Sequence, residues 1–145
     1  MASSGPASAT RAAKGKVLIV EDQEGMRDLL KALLESLYHI TEADSGAALH
    51  LALDLDQPDV VLLDMKLPDA NGLALLPVIK QRWAATEVIV MTGAPNDSGT
   101  AAWATEAVKN GAFRLMSKSA GFDFQELLGG ISLALERRRS NPAAS

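Results

Sequence analysis

The chain has 145 residues, 48% hydrophobic and 22% charged, which is enough for one compact domain and too few for two ordinary ones. It contains no cysteine, so disulfides, thiolate zinc sites, iron–sulfur clusters and cysteine nucleophiles are excluded. Fourteen Lys and Arg against 18 Asp and Glu leave a net charge of −4, which argues against a nucleic-acid module driven by general charge.

The first thirteen residues, Met1 to Ala13, are mostly Ala and Ser, with Gly, Pro, Thr and a single Arg. Such a stretch has nothing to bury and reads as a disordered tail, without the apolar region of a secretory signal. The folded unit is expected over residues 16–139, between tails at 1–15 and 140–145. No apolar run approaches a membrane span. A cytoplasmic single domain is the starting expectation.

Val17-Leu18-Ile19-Val20 is short, uniformly apolar and partly β-branched, as a strand covered on both faces should be. Val60-Val61-Leu62-Leu63 and Val88-Ile89-Val90-Met91 repeat the pattern. Tyr38 to Glu42 and Phe113 to Ser117 are weaker strands, placed nearer the edges. Between them the period is helical. Met26, Leu29, Leu30, Leu33, Leu34 and Leu37 share one stripe, and Arg27, Asp28, Lys31 and Glu35 fall off it. Further helices are expected at Ser45–Leu55, Leu73–Arg82, Asp97–Asn110 and Phe124–Arg139, with Asn110-Gly111 as a helix stop. Strands alternating with helices predict an α/β fold: a doubly wound, five-stranded parallel sheet with helices on both faces.

In such sheets the chemistry lies outside the carboxyl ends of the strands. Each strong strand here runs into polar residues: Glu21-Asp22, Asp64, Thr92-Gly93, and Ser117-Lys118 after the weaker fifth. Three carboxylates brought to one rim stay ionised together only beside a cation. Hard oxygen ligands with room for water suit Mg²⁺. A cation, a lysine and a hydroxyl beside an aspartate fit phosphoryl transfer, where positioning and charge neutralisation do most of the work. Any one of these acids has a plainer reading, as a loop residue or, for Asp22, a helix cap; for the whole set at successive strand ends that reading needs several coincidences.

Val17-Leu18-Ile19-Val20-Glu21-Asp22, the run from Asp59 to Gly72, Val90-Met91-Thr92-Gly93, and Gly111-Ala112 ahead of Lys118 resemble the receiver domain of two-component response regulators. The likeness covers nearly all of 16–139, and its wording is closest to receivers of enhancer-binding transcription activators. It implies a (βα)5 flavodoxin-like three-layer sandwich and a phosphorelay function. Asp64 would accept a phosphoryl group from a sensor histidine kinase or phosphotransfer protein. Asp22, Asp64, the Lys66 backbone carbonyl and, mostly through water, Glu21 would hold Mg²⁺. Lys118 would pair with carboxylate and phosphoryl oxygens, and Thr92 would hydrogen-bond the transferred group. The chain would catalyse only its own phosphorylation and dephosphorylation, and would act on a downstream effector domain or protein in transcription regulation, a homodimer being one form of output. No direct nucleic-acid or membrane partner is expected.

Two other readings compete. One is a degenerate receiver used as a constitutive interaction module. The other is a Mg²⁺-dependent phosphatase with an aspartyl nucleophile, which wants an acid two residues after Asp64, where Lys66 stands.

Some positions depart from the family pattern. Ser119 replaces the proline that usually follows the lysine, where a cis bond without proline costs about 3 kcal/mol. The segment from Ser119 to Gly121 is about two residues longer than usual, and the loop after Gly93 about four. Leu115 stands where the switch aromatic is usual, and Phe113 lies two residues too early. The output is therefore expected to run through the fourth helix and its loop. The final helix, ending Arg137-Arg138-Arg139, resembles one that leads into a linker, so an excised receiver is favoured over a natural single-domain regulator. Those arginines are read as dipole partners rather than nucleic-acid contacts. His39 and His50 are read as surface or edge residues, and Trp83 and Trp103 as packing residues in helices.

Overall fold

The computed structural model describes residues 14–92, 100–118 and 122–139. Strands and helices alternate as β1 (Lys16–Val20), α1 (Glu24–Leu34), β2 (His39–Ala43), α2 (Gly46–Leu55), β3 (Val60–Asp64), α3 (Gly72–Arg82), β4 (Glu87–Thr92), α4 (Thr100–Lys109), β5 (Ala112–Ser117) and α5 (Phe124–Arg139). All strands pair in parallel in the order β2-β1-β3-β4-β5. The two weaker strands lie at the edges, as their composition predicts.

Alternation along the apolar strands sorts the core into two layers. Leu18, Val20, Val61, Leu63, Val88 and Val90 pack against α2, α3 and Ala107 of α4. Val17, Ile19, Val60, Leu62, Ile89 and Met91 pack against Leu30 and Leu34 of α1 and Leu127, Ile131 and Leu135 of α5. The sheet is thereby covered on both faces. Val60 to Asp64 is buried throughout, which is why β3 has no polar side until its last residue.

Several boundaries differ from the sequence expectation for local reasons. The stripe of the first helix is narrower than its periodicity indicates: Leu30 and Leu34 are fully buried, whereas Leu29 is 47% and Leu37 50% exposed. α1 ends at Leu34 because the Leu37 and Tyr38 amides both turn back to its carbonyl. Asp22 does not cap α1; Gln23 takes the cap position without a side-chain bond. Ser45 caps α2 instead of starting it, accepting from the Ala48 amide. Asn71 caps α3 through the Leu73 amide, and Gly72 opens that helix. At the expected stop after α4, Gly111 takes a φ of 102°, open to glycine at little cost.

Trp83 ends α3 rather than lying within it, and its indole N–H donates to the Leu53 carbonyl at 3.0 Å. Arg137 pairs with Glu87 at 3.0 Å and Arg138 lies 3.6 Å from Asp59, so two of the three terminal arginines meet acids at the amino ends of β4 and β3. His39 and His50 are exposed, as read.

The register of β5 against β4 slips between Val88 and Ile89, whose partners are Ala112 and Arg114. Phe113 is the extra residue of this bulge. In an unbroken strand Phe113 and Leu115 would share a face. Here Phe113 packs in the α1/α5 layer and Leu115 in the opposite one. Gly15, expected in the N-terminal tail, is buried, and its carbonyl accepts from the His39 amide at 2.8 Å. Residues 1–13 and 140–145 of the expected tails, the lengthened loop after Thr92, residues 97–99 of the fourth helix, the Trp103 side chain and residues 119–121 after Lys118 lie outside the described residues.

Gly72 connects this framework to the rim. Its amide donates to the Met65 carbonyl at 2.8 Å, and a Cβ there would lie 2.7 Å from the Asp64 carbonyl oxygen and 3.0 Å from Met65 Cα. Ala gains about 1 kcal/mol over Gly inside a helix, but backbone atoms of a buried strand cannot yield. Gly72→Ala is expected to lower stability by a net ~1–3 kcal/mol, read as a lower urea midpoint.

Candidate functional site

The strand order reverses between β1 and β3, and the crevice outside their carboxyl ends is where doubly wound sheets bind ligands. Glu21 follows β1 directly and Asp64 is the last residue of β3. Both are almost completely buried, at 0% and 2% exposure. Asp22 is exposed beside them. One carboxylate oxygen from each of Glu21, Asp22 and Asp64 falls within 4.8 Å of the others.

Lys118 follows β5, its amide held by the Thr92 carbonyl at 2.7 Å. Its side chain crosses the end of β4 and places Nζ 2.8 Å from Glu21 Oε1 and 3.0 Å from Asp64 Oδ2. Burial works against the ammonium, but its bonds to Glu21 and Asp64 outweigh this and hold its pKa above the usual lysine range. Burial also dominates at Glu21; with the Asp64 charge it raises the carboxyl above the ordinary glutamate range, despite bonds from Lys118 and the Gln23 amide.

Asp64 Oδ1 accepts from the Lys66 amide at 3.2 Å. The loop after β3 then closes on itself through Leu67 N–H to the Ala70 carbonyl and Gly72 N–H to the Met65 carbonyl. Neither of these bonds uses the Lys66 carbonyl. Thr92 ends β4, half-buried, one residue beyond the Met91 that pairs with Asp64. The structure therefore gathers Glu21, Asp22, Asp64 and Lys118 directly, with Lys66 and Thr92 on adjoining backbone.

The acids suit a small divalent cation. Six-coordinate Mg²⁺ with bonds of ~2.1 Å sets opposite ligand atoms about 4.2 Å apart, so the observed spacing needs only small side-chain adjustments. The donors are all oxygens, and exposed Asp22 leaves a side open to water.

The family model for the response regulator receiver domain matches residues 17–131. The chain belongs to the response regulator receiver family. The receiver is 36% identical over 112 residues to the transcriptional regulatory protein KdpE of Staphylococcus aureus, covering 76% of this chain and 46% of that protein. It is 36% identical over 123 residues to the DNA-binding transcriptional regulator NtrC of Escherichia coli, covering 84% of this chain and 25% of that protein. The receiver thus spans between about a quarter and a half of the length of these curated relatives. The signal receiver domain of an HD domain-containing protein from Pseudomonas fluorescens superposes with a TM-score of 0.78 at 31% identity, over 88% of this chain and 98% of that one. NtrX of Brucella abortus gives 0.78 at 26% identity, over 90% of this chain and 29% of that one.

Two contacts around the receiver's rim are not legible from motif spacing. Arg27, on the polar side of α1, donates to the Glu21 carbonyl at 2.8 Å and lies 3.3 Å from Glu42, bracing the turn that carries both N-terminal acids. Asp69 spans from the loop after β3 to α2, donated to by the Gly46 and Ala47 amides. Arg27 carries only a weak signal, a lone cation one and a half turns after two acids; Asp69 carries none.

Lys118 is the counter-ion for two buried carboxylates. Removing one partner of a buried pair leaves uncompensated charge. Lys118→Met is expected to lose about 3 kcal/mol of stability in chelator at pH 7. Glu21 in the folded chain binds its proton more tightly than in the unfolded one, so its contribution to stability is greatest below the unfolded value of 4.5 and declines as pH rises through the folded pKa. Without the lysine, the folded pKa moves further up. The deficit of Lys118→Met should therefore shrink as pH is lowered from 7 towards 5, measured by thermal melts of variant and wild type.

Proposed function

We propose that this receiver takes a phosphoryl group on Asp64 in a Mg²⁺-dependent reaction and so changes its affinity for a downstream effector. The observation that carries the reading is the buried Asp64 carboxylate, with Lys118 Nζ at 3.0 Å and the oxygens of Glu21 and Asp22 within 4.8 Å. A cation bound by Glu21, Asp22, Asp64 and the Lys66 carbonyl would neutralise charge on the entering phosphoryl oxygens. Asp64 acts as the nucleophile: one carboxylate oxygen forms a bond to phosphorus while the donor's bond to phosphorus breaks and its electron pair leaves with the donor. Lys118 keeps a positive charge against the carboxylate throughout and is placed to meet a phosphoryl oxygen. Thr92 offers its hydroxyl to the same group.

A sensor histidine kinase or phosphotransfer protein is the fitting donor, since a phosphoimidazole matches a carboxylate acceptor held beside cations. The receiver's only chemistry is its own phosphorylation and dephosphorylation. Lys66, two residues after the nucleophile, presents an amide to Asp64 rather than the acid a turning-over phosphatase needs. The domain divisions at 16–139, transcription control through an effector, and a cytoplasmic setting complete the proposal. No helix among the described residues is long and apolar enough to cross a membrane.

The test is incubation with acetyl phosphate followed by intact mass. One phosphoryl group is expected on the wild type with Mg²⁺ and none with chelator. Asp64→Asn is expected to take none, and Asp22→Ala to label slowly. Undiminished labelling of Asp64→Asn would overturn the assignment.

Leu115 is half-buried in the layer with Val90 and Ala107. As an aliphatic packing residue it has no ring or hydroxyl to exchange between two positions. Leu115→Ala is expected to cost about 2 kcal/mol yet retain beryllofluoride-induced amide shifts in α4. Loss of those shifts with the mimic still bound would make Leu115 the relay.

A further inference from the structure

The loop between β3 and α3 is closed by its own backbone bonds, and Lys66, Pro68 and Asp69 on it are exposed. At its start the Met65 amide donates to the Met91 carbonyl at 2.9 Å. Beyond that, the loop is tied to the rest of the fold by the buried Leu67 side chain, by Met65 and Ala70 packed in the same apolar layer, and by the hydrogen bonds of Asp69. The Asp69 carboxylate accepts from the Gly46 amide at 2.7 Å through Oδ1 and from the Ala47 amide at 3.0 Å through Oδ2. These are the first two amides of α2, 23 and 22 residues distant in sequence. A carboxylate there meets both unsatisfied donors and the positive end of the helix dipole. The two bonds hold the Asp69 carboxyl below the usual aspartate range even though it faces solvent.

Capping alone does not account for this arrangement. α2 has its own cap, Ser45, whose hydroxyl accepts from the Ala48 amide. What Asp69 adds is a fixed distance between α2 and the tip of a loop that starts at Asp64. Lys66, three residues before Asp69, has its amide on Asp64 Oδ1 and its carbonyl outside the loop's two closing bonds.

We propose that Asp69 is a positioning residue for cation binding: by docking on the first turn of α2 it holds the loop where the Lys66 carbonyl can join the three carboxylates. The inference rests on the Mg²⁺-dependent reading of the Asp64 site. It separates Asp69 from Ser45, since both support α2 but only Asp69 supports the loop.

The experiment is calorimetric titration of Mg²⁺ into the full chain at neutral pH, without phosphodonor, for wild type, Asp69→Ala, Asp69→Asn and Ser45→Ala. Ser45→Ala is expected to lower the thermal midpoint and leave Mg²⁺ affinity unchanged. Asp69→Ala is expected to weaken Mg²⁺ about tenfold, as loss of an outer contact does at other metal sites. Asp69→Asn keeps one acceptor oxygen and is expected to fall between. It also supplies the test should the alanine variant fail to fold. Wild-type affinity in both Asp69 variants would overturn the inference while leaving the Asp64 reading intact. Equal weakening by Ser45→Ala would also overturn it, by making the integrity of α2 the cause. Absence of Mg²⁺ binding by the wild type would overturn both.

Discussion

Glu21 and Asp64 are carboxylates with almost no access to water, brought together at the carboxyl ends of strands whose buried residues are mostly apolar. Burying one such charge is costly, and burying two side by side is costlier, unless a cation is supplied. The Lys118 ammonium, bonded to both, meets that requirement. On the proposed reading, a divalent cation held also by Asp22 and the Lys66 carbonyl would be a second solution for the acids. On that reading, a site that gathers positive charge around buried acids would for the same reason suit an arriving phosphoryl group, whose oxygens the same groups would neutralise. Folding and chemistry thus share one electrostatic demand.

The sheet order makes this convergence possible. β1 and β3 are neighbours at the point where the chain reverses its direction of travel across the sheet, so residues 43 positions apart end at one crevice. Lys118 arrives from the far side of β4. Its approach depends on the bulge at Phe113, which resets the register so that Ser117 pairs with Thr92 and the Lys118 amide reaches the Thr92 carbonyl. A strand shifted by one residue turns every following side chain to the opposite face. The same bulge sends Phe113 to the α5 side, with the Arg137 guanidinium 5.6 Å from its ring, and leaves Leu115 opposite.

Loops carry the remaining work. The turn after β1 is braced by Arg27 on the Glu21 carbonyl, and the loop after β3 by Gly72 beneath it and Asp69 at its tip. Each brace fixes backbone rather than a reacting atom. Such contacts connect the rim to α1, α2 and α3.

The sequence alone specified the fold class and the residues that meet at the rim of the sheet. Strands buried on both faces need continuous apolar runs, as in Val60-Val61-Leu62-Leu63, and the polar residue that ends such a run must emerge at the rim. Glu21, Asp22, Asp64 and Lys118 were legible for that reason, and Thr92 with them. Tertiary structure decided what depends on pairing between distant segments. Asp69 reads locally as a turn residue, because its partners are amides brought near by the packing of α2 against the sheet. The Phe113 bulge follows from the register of β5 on β4, which no pattern within β5 encodes. Trp83 reads as helical until its indole finds the Leu53 carbonyl of a neighbouring helix. Periodicity reports which side of a segment meets an apolar layer; long-range hydrogen bonds and register are set only when the layers meet.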